Sequence, residues 1–528
     1  MTFVTSAQVA SDVQWRFRHR NVVIWVLAVA ATLAATAIGV ARLYDTPTEI
    51  QEYADSVSSG ALYAINGKFE GINTLGGVIQ DEFGFLASFL LPLMGLAMMA
   101  GPTRGEEEAG RLELLLARPV DRRAPVVGAF VVTTAALVAV TVLMGLAMGA
   151  AGVPFWRGML YAASLGALAY CFAGIAAVAA QLVRHARGVY TVGFAVLVAA
   201  YVLRGVGDTI DLWVVWLSPL GWAEKVDAFG PARTWALAIP LVVGTAGIVT
   251  AAALAGRRDV GDSTLQYGIG GPSEASSWLR RPIGTAAWIH RGSLLGWMAG
   301  ALAFVGMFGA LAQQVVDAIV ENAQLADALN TSTENPADGF FAITLVYLAL
   351  IAIGYVAAAF AVLRRQETDG HLEPILAGSV SRIRWLATQY LVIGVGLLAI
   401  LAAGTITLAL TAAASLGESG VIGDLIVAGL AYVPAVAFVA GIAAALFGLR
   451  PQLFPLVWAV VGVIAFIAFL GPGLELPMLV RNLSPTQHVG NPPDGDVEIW
   501  GLVIMSTLAL VLGAIGIAGL RDRDVPQP

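Results

Sequence analysis

Residues 104–122 read RGEEEAGRLELLLARPVDR, and residues 364–382 read RRQETDGHLEPILAGSVSR, 260 positions later. We call these stretches the first and second acidic loops. They align without a gap and are identical at nine of nineteen positions. Similar segments at a fixed spacing are the signature of repeated structural units. The sequence therefore predicts an internal duplication, with one acidic loop in each half of the chain.

Long apolar runs flank both acidic loops. The chain is 58% hydrophobic and 12% charged, whereas soluble proteins carry about 25% charged residues. An apolar run of about 17 to 25 residues is long enough to cross a bilayer as a helix. Twelve such runs are predicted, near 22–42, 84–101, 124–149, 158–182, 189–204, 232–255, 292–314, 339–362, 385–413, 424–448, 452–470 and 499–519. The predicted fold class is an all-α polytopic membrane protein with about twelve transmembrane helices.

The duplication divides these runs into two sets of six. Two shorter matches keep the same order: AGIAA at 173–177 and 440–444, and LSP at 217–219 and 483–485. We therefore predict a first six-helix half over 1–255, a cytoplasmic linker over 256–291 and a second six-helix half over 292–528. Six helices in each half give the two halves the same orientation, as parallel repeats about an axis along the membrane normal.

The basic residues predict the orientation of the chain. With a cytoplasmic N-terminus, 22 of the 29 Lys and Arg residues lie on the cytoplasmic side. Cytoplasmic loops of membrane proteins carry such an excess of Lys and Arg. Both termini and both acidic loops are therefore predicted to be cytoplasmic, and the protein to lie in the inner (plasma) membrane in contact with its lipids.

Composition also excludes several functional classes. The net charge of −7 argues against a general nucleic-acid binder. The single cysteine, Cys171, lies in an apolar run and permits no internal disulfide. No metal-ligand cluster, catalytic set or cofactor site is evident in the loops. The two lysines, Lys68 and Lys225, lie outside any phosphate-loop motif, so this chain lacks the usual ATP-binding loop.

The acidic loops are the strongest candidates for a functional site. Each combines carboxylates, a glycine and an apolar run that is typical of a short amphipathic helix at the membrane surface. Glu107 with Arg111, and Glu367 with His371, stand four residues apart and are predicted to pair. The carboxylates of the first loop are predicted to face basic residues of a partner, with the leucines as apolar anchors. An ordinary cytoplasmic loop is the alternative. The predicted coupling residues are Glu106, Glu107, Glu108, Gly110, Arg111, Leu112, Glu113, Leu116, Arg122, Glu367, Gly370, His371, Leu372, Glu373 and Arg382.

The first loop resembles the intracellular loop of ATP-binding-cassette type-2 exporter permeases, which carries E-x-x-G-x-L-E-x-L-L followed by P-V/I-x-R. The matching residues are Glu107, Gly110, Leu112, Glu113, Leu115, Leu116, Pro119, Val120 and Arg122, and the second loop has Ser379 in place of the proline. The whole chain is similar to fused twelve-span permeases of actinobacteria that export tetronasin, polyketide antibiotics or multiple drugs. The resemblance implies coupling helices in the acidic loops. It also implies two copies of a separate nucleotide-binding subunit, which would bind ATP and Mg²⁺ and hydrolyse ATP.

Few ionisable residues fall within the predicted spans, which favours an external energy source and an apolar or amphipathic cargo. A central cavity is predicted from aromatic and methionine side chains, although ordinary packing is the more frequent role of such residues. These residues are Phe85, Phe89, Met94, Met98, Met298, Phe304 and Met307. The main alternative is a proton-coupled secondary transporter of the major facilitator kind, and the other is a membrane enzyme that acts on lipids. The sequence does not specify the substrate.

Three smaller features carry structural predictions. Residues 8–20 are predicted to form an interfacial helix before the first span. Short external helices are predicted near Ile50–Val57 and within 315–338. Ser218 and Ser484 are predicted to cap short helices, with Gln487 completing a capping box in the second copy.

Overall fold

A computed structural model describes residues 2–57, 63, 65–264, 274, 276–321, 336–378, 380–471 and 476–523. All regular elements among these residues are helices. Within the described part of the chain, twelve helices are long and apolar enough to cross a membrane, which confirms the predicted all-α polytopic membrane fold. We number them α1 (Phe3–Leu43), α2 (Leu75–Ala100), α3 (Ala124–Ala150), α4 (Phe155–Leu182), α5 (Ala186–Thr209), α6 (Ala238–Ala255), α7 (Pro282–Ala310), α8 (Pro336–Thr368), α9 (Arg382–Leu416), α10 (Val421–Leu449), α11 (Leu456–Leu470) and α12 (Ile499–Asp522).

The structure changes several predicted boundaries. Residues 8–20 do not form a separate interfacial helix, because α1 runs without a break from Phe3 to Leu43. Helix α10 is interrupted between Leu430 and Val433, where Pro434 opens its second part. The short helices outside the spans include Pro47–Val57 and Ala312–Glu321. The rest of the second predicted external helix, including Ala323, and much of the predicted linker (265–273 and 275) lie outside the described residues.

The two LSP motifs differ in their capping. Ser218 accepts a hydrogen bond from the Gly221 amide at 3.4 Å and opens the helix Pro219–Glu224 as predicted. Ser484 makes no such bond, and a 3-10 turn over Pro485–His488 follows it. Gln487 instead accepts a hydrogen bond from Arg481 at 3.2 Å. The predicted second capping box is therefore wrong.

The chain forms two compact units, Met1–Ile269 and Gly270–Pro528. In the first unit α1 packs on α3, α2 on α4, and α4 on α6. In the second unit α7 packs on α9, α8 on α10, and α10 on α12. The pairs correspond at an interval of six helices. A duplicated six-helix unit would produce this correspondence.

Glycines bring the backbones of α4 and α6, and of α10 and α12, into direct contact. A Cβ atom on Gly174 would lie 2.5 Å from the carbonyl oxygen of Gly244. A Cβ atom on Gly448 would lie 2.0 Å from the carbonyl oxygen of Gly516. Helices in lipid associate through close packing of such small residues, because water supplies no hydrophobic drive between them. The glycines therefore set the distance between the sixth helix of each unit and its neighbour.

We expect Gly448→Leu to lower the melting temperature of the detergent-solubilised protein, because the leucine would force the α10 and α12 backbones apart. Thermal unfolding followed by size-exclusion chromatography measures the effect. Gly462→Leu on α11 is the matched control, since a Cβ atom there meets nothing within 4 Å. Equal melting temperatures for the two variants would contradict the inference that Gly448 sets the distance between α10 and α12.

Candidate functional site

The backbone of both acidic loops is shaped by a glycine in the left-handed region. Helix α2 continues into a π-helical turn over Gly101–Gly105 and one turn over Glu106–Glu108. Gly110 then adopts a φ of 70°, and the helix Arg111–Leu116 begins. In the second loop, Gly370 adopts a φ of 72° before the helix Leu372–Leu376. Only glycine adopts this conformation without strain, so Gly110 and Gly370 separate each loop helix from the preceding span.

The first acidic loop is anchored by a buried carboxylate, Glu107, whose side chain is 4% exposed. Arg258, which follows α6, donates two hydrogen bonds to it at 2.6 and 2.7 Å. Arg104 lies 3.0 Å from the same carboxylate, and the Gly261 amide donates a further bond at 2.7 Å. We call Arg104, Glu107 and Arg258 the first clamp. It ties the acidic loop to the segment that follows the sixth helix.

The second acidic loop is anchored in the same way by Glu367, whose side chain is 0% exposed. Arg523, which follows α12, donates two hydrogen bonds to it, one of them at 3.0 Å. Arg364 lies 3.1 Å from the carboxylate. We call Arg364, Glu367 and Arg523 the second clamp. Bidentate pairs of arginine and carboxylate are among the strongest and most directional polar contacts in proteins.

These contacts correct three predictions. Glu107 does not face a partner protein, because its carboxylate is buried by residues of its own unit. It also does not pair with Arg111, which donates to Glu106 at 2.6 and 3.0 Å instead. This contact raises the pKa of the Arg111 guanidinium. The predicted pair of Glu367 with His371 is also wrong, since Glu367 is held by the second clamp and His371 is exposed.

Two other carboxylates of the first loop connect it to neighbouring helices. Glu106 accepts a hydrogen bond from Arg18 of α1 at 2.8 Å. Glu108 accepts from the Ala186 amide at 3.0 Å and lies 2.7 Å from Nδ1 of His185. A carboxylate at this position also stabilises the N-terminus of α5 through the helix dipole. The loop is thus fixed to α1, α5 and the segment after α6.

The last predicted coupling residues in each loop reach the same segments. Arg122 lies 3.1 Å from the Asp259 carboxylate, and Arg382 donates to the backbone carbonyl of Arg523 at 2.6 Å. The sequences GRRDV (256–260) and RDRDV (521–525) supply these partners and the clamp arginines. The contacts of these two segments were not predicted from the sequence.

About half of each loop is exposed, including part of each loop helix. In the first loop, Glu113 and Leu114 are exposed, and the Leu114 side chain is 75% exposed. In the second loop, Glu373 and Pro374 are exposed and Leu372 is buried. Leu112 and Leu116 are half-buried, and they line a small pocket beside the first clamp. We call Glu113 with Leu114, and Glu373 with Pro374, the loop tips.

Most of the predicted cavity residues lie in packed clusters, and Met98 lines a small cavity in the first unit. Phe85 and Phe89 of α2 pack edge to face at 5.4 Å, and Phe89 contacts Tyr201 at 5.2 Å. Met94 is fully buried. In the second unit Phe304 packs on Phe308 at 4.5 Å. Met298 and Met307 are half-buried. A lining role for these side chains stays a prediction.

Sequence reasoning missed two clusters of buried charges at the far ends of α2 and α5, away from the acidic loops. Asp81 of α2 accepts hydrogen bonds from Tyr53 at 2.8 Å and Asn66 at 3.0 Å. Tyr53 also donates to the adjacent carboxylate of Glu82 at 3.0 Å. The prediction that few ionisable residues fall within the spans did not count these two carboxylates, which α2 includes because it begins at Leu75. Its predicted start at residue 84 was too late.

The second cluster surrounds Lys225, which lies 3.2 Å from both Asp208 of α5 and Glu224. Arg204 lies 3.8 Å from Glu224. Burial, followed by the neighbouring Asp208, raises the pKa of Glu224 to about 8, although Lys225 and Arg204 act in the opposite direction. The folded protein therefore holds a proton on Glu224 at pH values where an unfolded carboxyl group has lost it.

The free energy of unfolding is expected to fall between about pH 5 and pH 8 because of Glu224. The folded carboxyl group binds its proton more tightly than the unfolded one, so the folded state is favoured less as the pH rises. Glu224→Gln keeps the neutral shape and should reduce this pH dependence. Melting temperatures between pH 5 and pH 8 measure it, with Glu52→Gln at an exposed position as the control. An unchanged slope in Glu224→Gln would contradict the expectation.

Comparison with known proteins gives matches over nearly the whole chain. Residues 9–213 match the ABC-2 family transporter protein model. Residues 279–521 match the C-terminal domain model of the multidrug efflux system permease Rv1217c. The chain is 32% identical over 518 residues to the "Multidrug efflux system permease protein Rv1217c" of Mycobacterium tuberculosis (strain ATCC 25618 / H37Rv), covering 95% of this chain and 92% of that protein. The chain belongs to the ABC-2 family of transporter permeases.

Proposed function

We propose that this permease exports hydrophobic or amphipathic compounds, such as antibiotics or drugs, and that a separate ATPase drives it. Two copies of the ATPase subunit would bind, one to each acidic loop. ATP and Mg²⁺ would bind to that partner and not to this chain. Each loop would transmit the partner's movement to the spans of its own unit. The observation that carries the proposal is the pair of acidic loops, each with a buried clamp and an exposed tip.

The clamps support a coupling role because they connect each loop to the ends of two spans. In the first unit, the bidentate contact between Glu107 and Arg258 joins the end of α2 to the end of α6. In the second unit, Glu367 and Arg523 join the end of α8 to the end of α12. A force applied to either tip would therefore reach two spans. A loop without such contacts would move without moving the spans.

The distribution of basic residues supports a cytoplasmic position for the loops. Of the 29 Lys and Arg residues, 22 fall on the same predicted side of the membrane as the acidic loops and both termini. A cytoplasmic ATPase could reach the tips only in this orientation. We accordingly assign the protein to the plasma membrane, as a multi-pass protein with cytoplasmic termini.

The name of the mycobacterial relative, a multidrug efflux system permease, supports export of several unlike compounds. The apolar character of the spans agrees with a lipid-soluble cargo. Membership of the ABC-2 family also separates this chain from the secondary transporters of the major facilitator kind, and no observation favours that alternative.

The direct test needs the partner, to be sought as an ATPase with a phosphate loop encoded by a neighbouring gene. The two proteins would be co-expressed, purified and reconstituted in nanodiscs, and ATP hydrolysis measured with and without the permease. We expect the permease to stimulate hydrolysis and the double variant Glu113→Lys/Glu373→Lys to lose the stimulation, because the reversed charges would repel a basic docking surface.

Glu52→Lys is the matched control, since it reverses one exposed charge on the short helix Pro47–Val57, outside the acidic loops. It should leave the stimulation unchanged. Unchanged stimulation in the double variant, with the ATPase still bound, would count against the docking role of the loop tips. Failure of the two proteins to associate would count against the proposal that a separate ATPase drives this permease.

A further inference from the structure

Two adjacent carboxyl groups lie at the end of α2 that is farthest from the first acidic loop. Helix α2 begins at Leu75, and Asp81 and Glu82 follow within its first turns. At a rise of about 1.5 Å per residue, Asp81 lies about 9 Å along the helix from its first residue. Asp81 is 6% exposed and Glu82 is half-buried. The pair therefore lies inside a span, and Glu82 is its more accessible member.

One hydroxyl group contacts both carboxyl groups. Tyr53 belongs to the short helix Pro47–Val57, and its Oη lies 2.8 Å from Asp81 and 3.0 Å from Glu82. With both groups ionised, Tyr53 would divide a single hydrogen between two acceptors. With a proton on Glu82, Tyr53 donates to Asp81 and Glu82 donates to Tyr53, so each contact has its own hydrogen. Asp81 also accepts from Asn66 at 3.0 Å, so Asp81 is the better placed of the two to remain ionised.

The pair lacks a compensating positive charge. Among the described residues, the groups that act on the two carboxyl groups are Tyr53, Asn66 and the neighbouring carboxyl group, and none of them is basic. The buried cluster around Lys225 pairs its positive charges with its own carboxylates. Two adjacent buried carboxylates without a counter-charge are unfavourable, and one of them binds a proton instead.

A second hydroxyl group near the pair has no partner. Tyr161 of α4 is 4% exposed, its hydroxyl group makes no hydrogen bond, and Asp81 acts on it electrostatically. A dissolved molecule could not contact so buried an atom, so the species that this site exchanges is the proton itself. Transfer of the proton between Asp81 and Glu82 changes which of them needs a donor, and Tyr161 is a further donor for Asp81. The ring of Tyr44, which follows α1, packs on Tyr53 at 5.1 Å.

The second unit shows that the repeated fold does not require these carboxyl groups. At the 260-residue spacing of the acidic loops, Asp81 and Glu82 correspond to Phe341 and Ala342 of α8. These two side chains are 1% and 0% exposed. Helix α8 packs on α10 as α2 packs on α4. Apolar residues therefore suffice to build this part of the fold, and the carboxyl pair is a feature of the first unit alone.

We propose that Asp81 and Glu82 form a proton-binding site, which holds one proton at neutral pH and thereby keeps the helix Pro47–Val57 against α2 through Tyr53. Release of the proton would leave two carboxylates at one hydroxyl group, and their repulsion would free the short helix. This end of the first unit lies opposite its acidic loop. The site would therefore make its closure depend on the pH on the side of the membrane opposite the ATPase. The inference goes beyond the proposed function and requires neither cargo nor ATPase.

Infrared absorption of the full-length protein in nanodiscs tests for the proton, because the C=O stretch of a protonated carboxyl group is separate from the bands of a carboxylate. Glu224 also holds a proton at neutral pH, so the measurement uses the Glu224→Gln background. We expect a band from one protonated carboxyl group per chain at pH 7. Glu82→Gln should remove the band, because its amide replaces the protonated group and leaves Asp81 ionised. Glu52→Gln, at an exposed position next to Tyr53, is the matched control and should retain it.

Cysteine labelling tests the effect of the proton on the short helix. Cys171 is fully buried, and Cys171→Ala gives a chain without a native thiol. Ala54→Cys places a thiol at a buried position beside Tyr53, and Gln51→Cys places one at an exposed position of the same helix. The ratio of their rates of reaction with N-ethylmaleimide cancels the pH dependence of the thiol itself. We expect this ratio to rise with pH by up to about tenfold per unit, the linkage of one released proton, and to stay constant in Glu82→Gln.

Absence of the protonated band, or a band that survives in Glu82→Gln, would overturn the proposal. A labelling ratio that rises equally in Glu82→Gln would overturn the role of the proton in holding the helix. If Glu82→Gln does not fold, Tyr53→Phe replaces it in the labelling experiment, and the ratio should then be high at every pH. Neither measurement involves ATP, so a negative result would leave the proposed function intact. Loss of the proposed coupling would likewise leave the proton site intact.

Discussion

Replacement of Glu107 by alanine is expected to destabilise the first six-helix unit by about 3 to 5 kcal/mol, the cost of breaking a buried ion pair by removing one partner. The substitution removes the carboxylate that Arg104 and Arg258 share, and the Arg104 side chain is fully buried. Melting temperature in detergent and the yield of monodisperse protein would measure the loss.

One control lies in the same loop, and a parallel test lies in the second acidic loop. Glu113→Ala removes an exposed carboxylate six residues away and should leave the melting temperature unchanged. Glu367→Ala should repeat the effect of Glu107→Ala in the second unit, because the second clamp buries its carboxylate just as completely. If Glu107→Ala melts at the wild-type temperature, the first clamp does not anchor the loop.

Arg258→Lys separates anchoring from coupling. It preserves the positive charge but loses the bidentate geometry, since lysine carries a single ammonium group. We expect Arg258→Lys to lower the melting temperature less than Glu107→Ala does. Relative to that loss of stability, it should reduce ATPase-driven transport more. This expectation follows because the planar contact between Arg258 and Glu107 joins α2 to α6.

The parts of the site that sequence predicts well are those set by local rules. The apolar run in each acidic loop predicts the short loop helix, and the longer apolar runs predict twelve spans. Gly110 and Gly370 take the left-handed conformation that only glycine tolerates. Such features depend on a few neighbouring residues, so a pattern in the sequence is sufficient to indicate them.

The role of Glu107 could not be predicted from its neighbours. It stands in a run of three glutamates that has the pattern of a solvated face, yet its partner Arg258 lies 151 residues further along the chain. Only the packing of α4 on α6 and on α2 brings that arginine to the loop. Burial of a charge depends on such distant contacts.

The buried charges at the far ends of the spans were missed for a related reason. The predicted fifth span stopped at residue 204, whereas α5 continues to Thr209 and includes Asp208. A hydropathy pattern ends a span at its first charge, but a helix continues where partners satisfy that charge. Here Lys225 pairs with Asp208 at 3.2 Å.

Leu114→Asp is expected to weaken binding of the ATPase by more than about 30-fold, which corresponds to an interface hot spot of about 2 kcal/mol. Leu114 is the apolar side chain of the first loop tip and is 75% exposed. Aspartate there removes the apolar contact with the partner and adds the cost of desolvating a charge. Because the side chain is largely exposed in the permease alone, the melting temperature should not change. Titration of the ATPase onto the permease in nanodiscs would measure the affinity.

The second loop tip provides a comparison for the effect of Leu114→Asp on ATPase binding. Pro374 occupies the position equivalent to Leu114 and is also exposed, but its ring offers less apolar surface to a partner. Pro374→Asp should therefore weaken binding less than Leu114→Asp does, and the two ATPase copies should dock unequally.

Leu112→Asp should lower the melting temperature instead, because Leu112 is half-buried against the span ends. Wild-type affinity in Leu114→Asp would argue against docking through Leu114, since Glu106, Glu107 and Glu108 are already engaged by Arg18, Arg258 and His185.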